Sequence, residues 1–195
     1  LNEPSRRLGA RSAQHRDLRI SRLLVSSGEV RALTSRDGPD GDPVLAPDGR
    51  RLAYTGYDDR KQGYQVSRLH LANRDGSGVR VLTASLDTDA RAPRWAPDGS
   101  GLYFLADQQG NTGIYFVPVD GPHRKIVGNV GSGRSAYSGG DAFSVARTGA
   151  IAYTHKTAVI PGDIAVTGAA GQSKVLTAVN EDLFAGKELG STDEI

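Results

Sequence analysis

The sequence predicts an all-β protein, a partial β-propeller of about three and a half four-stranded antiparallel blades. Three observations predict it: a repeat with a period near 50 residues, a proline-containing turn that recurs inside the repeat, and the lack of any long stretch with a 3.6-residue apolar period.

The repeat is seen first in Pro43-Val44-Leu45-Ala46-Pro47-Asp48-Gly49-Arg50-Arg51-Leu52-Ala53-Tyr54. It recurs as Pro93-Arg94-Trp95-Ala96-Pro97-Asp98-Gly99-Ser100-Gly101-Leu102-Tyr103-Phe104, and Phe143 to Tyr153 is a weaker copy that keeps its glycine at 149. In Ala-Pro-Asp-Gly, proline sets the first corner, aspartate bonds its own backbone, and glycine takes the left-handed conformation that re-enters a strand. This is a hairpin between strands A and B. Strand C is read in Ile20 to Val25, which aligns with Val66 to Leu71 through a shared Ser-Arg-Leu, and again in Ile114 to Val119 and Asp163 to Val166. Strand D is read in Val30-Arg31-Ala32-Leu33-Thr34, Val79-Arg80-Val81-Leu82-Thr83, Arg124 to Val127 and Lys174-Val175-Leu176-Thr177. Runs such as Leu102-Tyr103-Phe104-Leu105 and Ile114-Tyr115-Phe116-Val117 are apolar on both faces, as a sheet sandwiched between sheets requires. About 50 residues per four short strands is the size of a propeller blade. The expected division is a basic, flexible segment over 1–17, a half blade at 18–34, blades at 43–83, 93–128 and 141–177, and a connector at 178–195. Three and a half blades do not close a ring, since propellers use about four to eight.

Composition removes many chemistries. Among 195 residues there is no Cys and no Met, which excludes disulfides, thiolate metal sites and a cysteine nucleophile. No apolar run approaches the roughly 20 residues of a membrane helix, so no membrane partner is expected. A chain that starts at Leu1 and lacks Met reads as a piece of a longer protein. Residues 1–36 hold eight Arg against Glu3, Asp17 and Glu29, but with uneven spacing and no interleaved aromatics, so no nucleic-acid partner is expected.

The pattern from Pro93 to Phe104 resembles the short repeats of TolB-like proteins and of the N-terminal propeller domain of prolyl oligopeptidase family serine peptidases. The ending resembles the second group. Asp163-Ile164-Ala165-Val166, then Lys174-Val175-Leu176-Thr177 and Asn180-Glu181-Asp182-Leu183-Phe184, is similar to the last blade of an acylaminoacyl-peptidase-like or dipeptidyl-peptidase-like enzyme. The resemblance implies a non-catalytic propeller that covers the active site of a peptidase and filters peptides by size, with nucleophile, acid and base in an α/β-hydrolase domain after Ile195. Its alternative is a TolB-like binding or scaffolding propeller without an enzymatic domain. Cytoplasm is favoured over periplasm as the location.

Other candidate chemistry is weighed against ordinary structure. No serine stands in Gly-x-Ser-x-Gly, so no catalytic residue is expected. Gly128 to Ser135 is spaced like a phosphate loop, but Arg134 replaces the lysine and Ala136-Tyr137-Ser138-Gly139-Gly140 cannot start a helix, so it reads as a flexible inter-blade loop with no cofactor. Asp37, Asp40 and Asp42 lack the spacing of a calcium loop and read as a solvated turn. His15, His70, His123 and His155 fall at no metal-ligand spacing and read as structural. Trp95 is placed to lock adjacent blades. If any residues touch a peptide, geometry selects those at the start of strand A, nearest the channel: Asp42, Arg91, Arg94 and Asp141. Bare faces on the two terminal blades predict self-association, most simply a twofold dimer, with folding back of 178–195 as the competing way to cover them.

Overall fold

The computed structural model describes residues 18–131, 134–135, 138–139, 143–157, 162–168, 171–188 and 190. Residues 1–17 and Asp141 lie outside them. Three four-stranded antiparallel sheets follow one another along the chain, each a meander in sequence order. The first holds β3 (Asp40–Leu45), β4 (Arg51–Gly56), β5 (Arg68–Asn73) and β6 (Arg80–Val81). The second holds β7 (Arg91–Trp95), β8 (Gly101–Gln108), β9 (Asn111–Pro118) and β10 (Arg124–Val127). The third holds β13 (Phe143–Val145), β14 (Ile151–His155), β15 (Asp163–Thr167) and β16 (Ser173–Val175). A two-stranded sheet of β1 (Ser21–Leu23) and β2 (Val30–Ala32) precedes them, and the short pair β11 (Arg134–Ser135) and β12 (Ser138–Gly139) lies between the second and third. The one helix among the described residues, α1, is a single turn at Glu181–Phe184.

The A–B turns form as their residues dictate. Gly49, Gly99 and Gly149 all have positive φ, and each donates its N–H to the carbonyl of Ala46, Ala96 or Ala146 at 2.8–2.9 Å. Asp48 and Asp98 accept the backbone N–H two residues on, from Arg50 and Ser100. In the third copy Thr148 replaces the aspartate and the hairpin closes one residue sooner, with Ala146 N–H bonded to Ala150 rather than to the residue after it.

A second interaction repeats at the other end of the half blade, the first blade and the third blade. The Thr34 hydroxyl accepts the N–H of Ile20 at 3.1 Å, Thr83 that of Leu69 at 2.9 Å, and Thr177 that of Ile164 at 2.9 Å. The residue before each threonine returns an N–H to the same strand C residue, Leu33 to Ile20, Leu82 to Leu69 and Leu176 to Ile164. This clasp corrects the strand C alignment. Ile20 is equivalent to Leu69, not to Val66, an offset of 49 residues instead of 46. The Ser-Arg-Leu match was a local coincidence. An odd error in offset puts every side chain on the opposite face, and the observed faces follow the clasp.

Those faces make three layers of core. Ile20 and Leu33 pack on Leu52, Tyr54 and Ala72 of the first blade. The back of the first blade (Ala53, Leu69, Leu71) meets the front of the second (Leu102, Phe104, Tyr115, Val117). The back of the second (Tyr103, Leu105, Ile114) meets the front of the third (Ile151, Tyr153, Ala165). Trp95 locks the first two blades as its position predicts: its Nε1 donates to the Val44 carbonyl at 3.1 Å, and the Arg51 guanidinium lies 5.1 Å over its ring.

Two expectations need correction. Asp40 is not in a solvated turn but is buried as the first residue of β3. The supposed flexible loop is pinned at its start, where Val130 is buried and bridged to His155, and Gly131 N–H donates to Thr154.

Thr83 is fully buried, so Thr83→Val keeps shape but leaves the Leu69 N–H unpaired, a loss of about 1–3 kcal/mol. The same change at Thr177, whose bond to Ile164 is solvent-exposed, is expected to cost less than about 1 kcal/mol, and urea unfolding of the two variants measures the difference.

Candidate functional site

In a meander, the connections after strands A and C lie at one end of the sheet and those after B and D at the other. The Pro-Asp-Gly turns occupy the first end. At the second end the D–A and B–C connections gather charged groups, and the B–C connection differs sharply between blades. In the second blade it is a tight turn through Gln109 and Gly110, both at positive φ. In the first blade it spans 57–67 and, with the preceding D–A connection, walls a cleft of about 380 Å3. Its rim carries Tyr57, Asp58, Arg60, Tyr64 and Gln65.

The floor of this cleft is an ordered polar cluster. Arg36, in the D–A connection, donates Nε and Nη2 to Asp40 Oδ1 at 2.8 and 2.5 Å. Its Nη1 donates to His70 Nε2 at 2.9 Å and reaches Asp58 at 3.4 Å. Because a guanidinium can only donate, His70 Nε2 is the acceptor, and its Nδ1–H donates to the Arg68 carbonyl at 3.0 Å. Tyr54 stacks on the His70 ring at 5.0 Å between centroids, with the Arg36 guanidinium 5.9 Å over the tyrosine. Burial, and then the Arg36 charge, push the His70 pKa down to about 4, so the ring is neutral at neutral pH. Burial, with the Asp40 charge second, raises the Tyr54 pKa.

Gly56 makes the ion pair possible. A Cβ there would sit 2.4 Å from the Pro39 carbonyl oxygen and 2.6 Å from Asp40 Oδ1, so no other residue fits without moving backbone. Asp40 Oδ2 is buried with no hydrogen-bond partner.

Asp42, Arg91 and Arg94 stand at the start of neighbouring inner strands, β3 and β7, which lie against each other. Each strand carries a β-bulge there, and the bulge residues Asp42 and Ala92 have φ of 49° and 48°. Left-handed backbone at a residue other than glycine costs roughly 1 kcal/mol or more, and it recurs at the same place in both blades. The bulges also explain why β3 and β7 begin before Pro43 and Pro93, where the sequence repeat becomes visible. Asp42 accepts the Thr55 hydroxyl at 3.2 Å. Arg91 forms a two-pronged pair with Asp107 at 2.5 and 2.7 Å, reinforced by the Thr112 hydroxyl on the same carboxylate, and this pairing raises the arginine's pKa. Arg94 donates to the Pro93 carbonyl. Asp141 lies outside the described residues.

Sequence reasoning missed the Arg36–Asp40–His70 cluster. The one signal it offered was a histidine at a strand position that otherwise alternates with leucine. Chemically the cluster offers charge and hydrogen bonds but no nucleophile, since His70 is buried and both its ring nitrogens are engaged. Among the described residues no three His, Asp or Glu side chains gather as a metal site.

No family model matches the chain. It is 27% identical over 141 residues to dipeptidyl-peptidase 5 of Trichophyton schoenleinii, covering 69% of this chain and 19% of that protein. It is 31% identical over 113 residues to a TolB homologue of Chlorobium luteolum, covering 57% of this chain and 24% of the homologue. The solved acylaminoacyl peptidase of Pyrococcus horikoshii superposes with a TM-score of 0.59 at 18% identity, over 83% of this chain and 23% of that one. The chain thus spans about a fifth of the length of the dipeptidyl-peptidase it matches. Both the propeller fold and the resemblance to peptidase and TolB propellers read from the Pro-Asp-Gly repeat hold.

The His70 pKa has a consequence for stability. Below about pH 6.5 the unfolded chain protonates this histidine while the folded chain does not, until pH falls to about 4. Stability therefore drops as pH falls through that window, by about 1.4 kcal/mol per unit at most. His70→Gln, which still accepts from Arg36, is expected to flatten the dependence between pH 6.5 and 5 in urea titrations; an unchanged slope contradicts the assignment.

Proposed function

We propose that this chain is the non-catalytic propeller portion of a serine peptidase, and that it covers the active site and admits short peptides while refusing folded protein. The observation that carries this reading is the match to dipeptidyl-peptidase 5 across most of the chain but only a fifth of the relative, which fits one module of a larger enzyme. The physics supports it. Rigid sheets packed face on face make a wall that does not yield to a bulky substrate, and the charged B–C and D–A end supplies hydrogen-bonding groups for a peptide backbone. Asp42, Arg91 and Arg94 are proposed to face that peptide, with Asp141 as their counterpart in the third blade.

The TolB homologue supports a second reading, since it is the most identical of these relatives over its matched segment. In that reading the same end binds a protein partner and no hydrolase domain is involved. The two readings separate on the coding sequence beyond Ile195 and on activity. A protein carrying that sequence is expected to cleave dipeptide and tetrapeptide reporters and to leave a folded protein substrate intact. Equal kcat/KM for peptide and folded protein overturns the filter. The 195-residue chain itself is expected to show no labelling by a fluorophosphonate probe, and stoichiometric labelling of any of its serines overturns the non-catalytic assignment.

Self-association belongs to the same reading. At the clasp position Ile20, Leu69 and Ile114 are 7%, 0% and 0% exposed, each covered by the following blade, whereas Ile164 is 46% exposed. Val179 and Leu183 of the segment that follows are themselves exposed, which supports association rather than folding back of 178–195 as the way these faces are covered. Light scattering across a range of concentrations is expected to show a dimer at the upper end, and a mass of 20.6 kDa at every concentration excludes it.

A further inference from the structure

The half blade at the start of the described chain has a free inner edge. The threonine clasp identifies β1 as a strand C, because Ile20 occupies the place of Leu69 and Ile164. In each complete blade strand C is paired on one side with D and on the other with B, as β5 is with β6 and β4. Among the described residues β1 is paired with β2 alone. Ile20 and Leu24 use their backbone groups toward β2 and its flanks, so alternation along an antiparallel strand leaves those of Ser21 and Leu23 facing the free edge.

A groove of about 380 Å3 runs beside that edge, between β1 and β3. Its apolar walls include Ile20, Leu33 and Leu52, which are also members of the core layer joining the half blade to the first blade. The groove therefore continues an interface that the molecule already uses. Its far wall is Pro43 and Leu45. In the second blade the equivalent residues are Pro93, fully buried, and Trp95, 9% exposed, both covered by the preceding blade; Leu45 is 56% exposed. The groove also carries Arg22 and Arg74, and Arg22 Nε is buried with no hydrogen-bond partner. An occupant that brings an acceptor there relieves a guanidinium nitrogen shut away from water, and a carboxylate also complements the charge of Arg22 and Arg74.

We propose that the groove between β1 and β3 docks an antiparallel β-hairpin of the chain's own A–B type, one strand hydrogen-bonding along β1 and the other covering Pro43 and Leu45, with an acidic side chain meeting Arg22. This is strand addition to an open sheet edge, in which the backbone gives affinity and the alternating side chains give selectivity. The position of the acid follows from the repeat. Arg22 is equivalent to Phe116, whose strand B partner is Tyr103.

The test uses a labelled synthetic peptide of residues 91–108, the hairpin of the second blade, carrying Tyr103→Glu. Added to the whole chain, it is expected to bind saturably with one-to-one stoichiometry by fluorescence anisotropy. A Tyr103→Lys peptide, an Arg22→Ala chain and a Leu23→Pro chain are each expected to weaken binding at least tenfold. Leu23→Pro deletes an edge N–H that β2 does not use, and protection of the Ile20 amide from exchange confirms that its clasp is intact. No saturable binding of the glutamate peptide, or equal affinity for the glutamate and lysine peptides, overturns the proposal. Undiminished binding to Leu23→Pro excludes strand addition as its mode.

Discussion

A β-sheet with apolar side chains on both faces cannot bury them alone, and every layer of this molecule follows from that constraint. The second blade is the one whose two faces are both covered by complete neighbours, and it holds the fully buried Leu102, Phe104, Ile114 and Val117. Packing back on front demands that each blade present the right parity of side chains. The threonine clasp enforces this by fixing strand C against strand D at Ile20, Leu69 and Ile164. Trp95 adds a polar anchor to the apolar contact, because its indole N–H would be costly to bury without the Val44 carbonyl.

The same meander that builds the blades separates their two ends by chemistry. One end carries turns whose conformations are satisfied by their own residues. The other carries a buried ion pair, a neutral histidine and two left-handed bulge residues, all more expensive to fold. Removing one partner of a pair such as Arg36–Asp40 strands the other charge, whereas the pair as a whole adds little net stability. Arg36 of this cluster also reaches Asp58 in the long B–C connection of the first blade at 3.4 Å, which ties that connection to the buried pair. Loops held in this way on a rigid scaffold are where proteins concentrate binding, and the peptide-facing role proposed for this end rests on that placement.

The fold was legible wherever the deciding chemistry is local. Ala-Pro-Asp-Gly specifies a turn from its own side chains, and the two-faced apolar run at Leu102 to Leu105 announces a sandwiched strand. Trp95 was legible for the same reason, as a large residue beside such a turn. Strand C of the half blade was not, because Ser21-Arg22-Leu23 and Ser67-Arg68-Leu69 match by residue type while the true register is set by a hydroxyl 14 residues away in sequence. Asp40 was misread because an aspartate among glycines and a proline has the composition of a turn. Its burial depends on Arg36, on the space left by Gly56, and on His70 from another strand, none of which is visible at Asp40 itself.

The central claim is that stability resides in blade-on-blade packing and is greatest where a sheet has a complete neighbour on each side. Amide hydrogen exchange, resolved by residue, tests this most directly. The account predicts the slowest exchange in β8 and β9 of the second blade, intermediate exchange in β4 and β5, and markedly faster exchange in β14 and β15, whose outer face carries the exposed Ile164. Protection in β14 and β15 equal to that of β8 and β9 would contradict it.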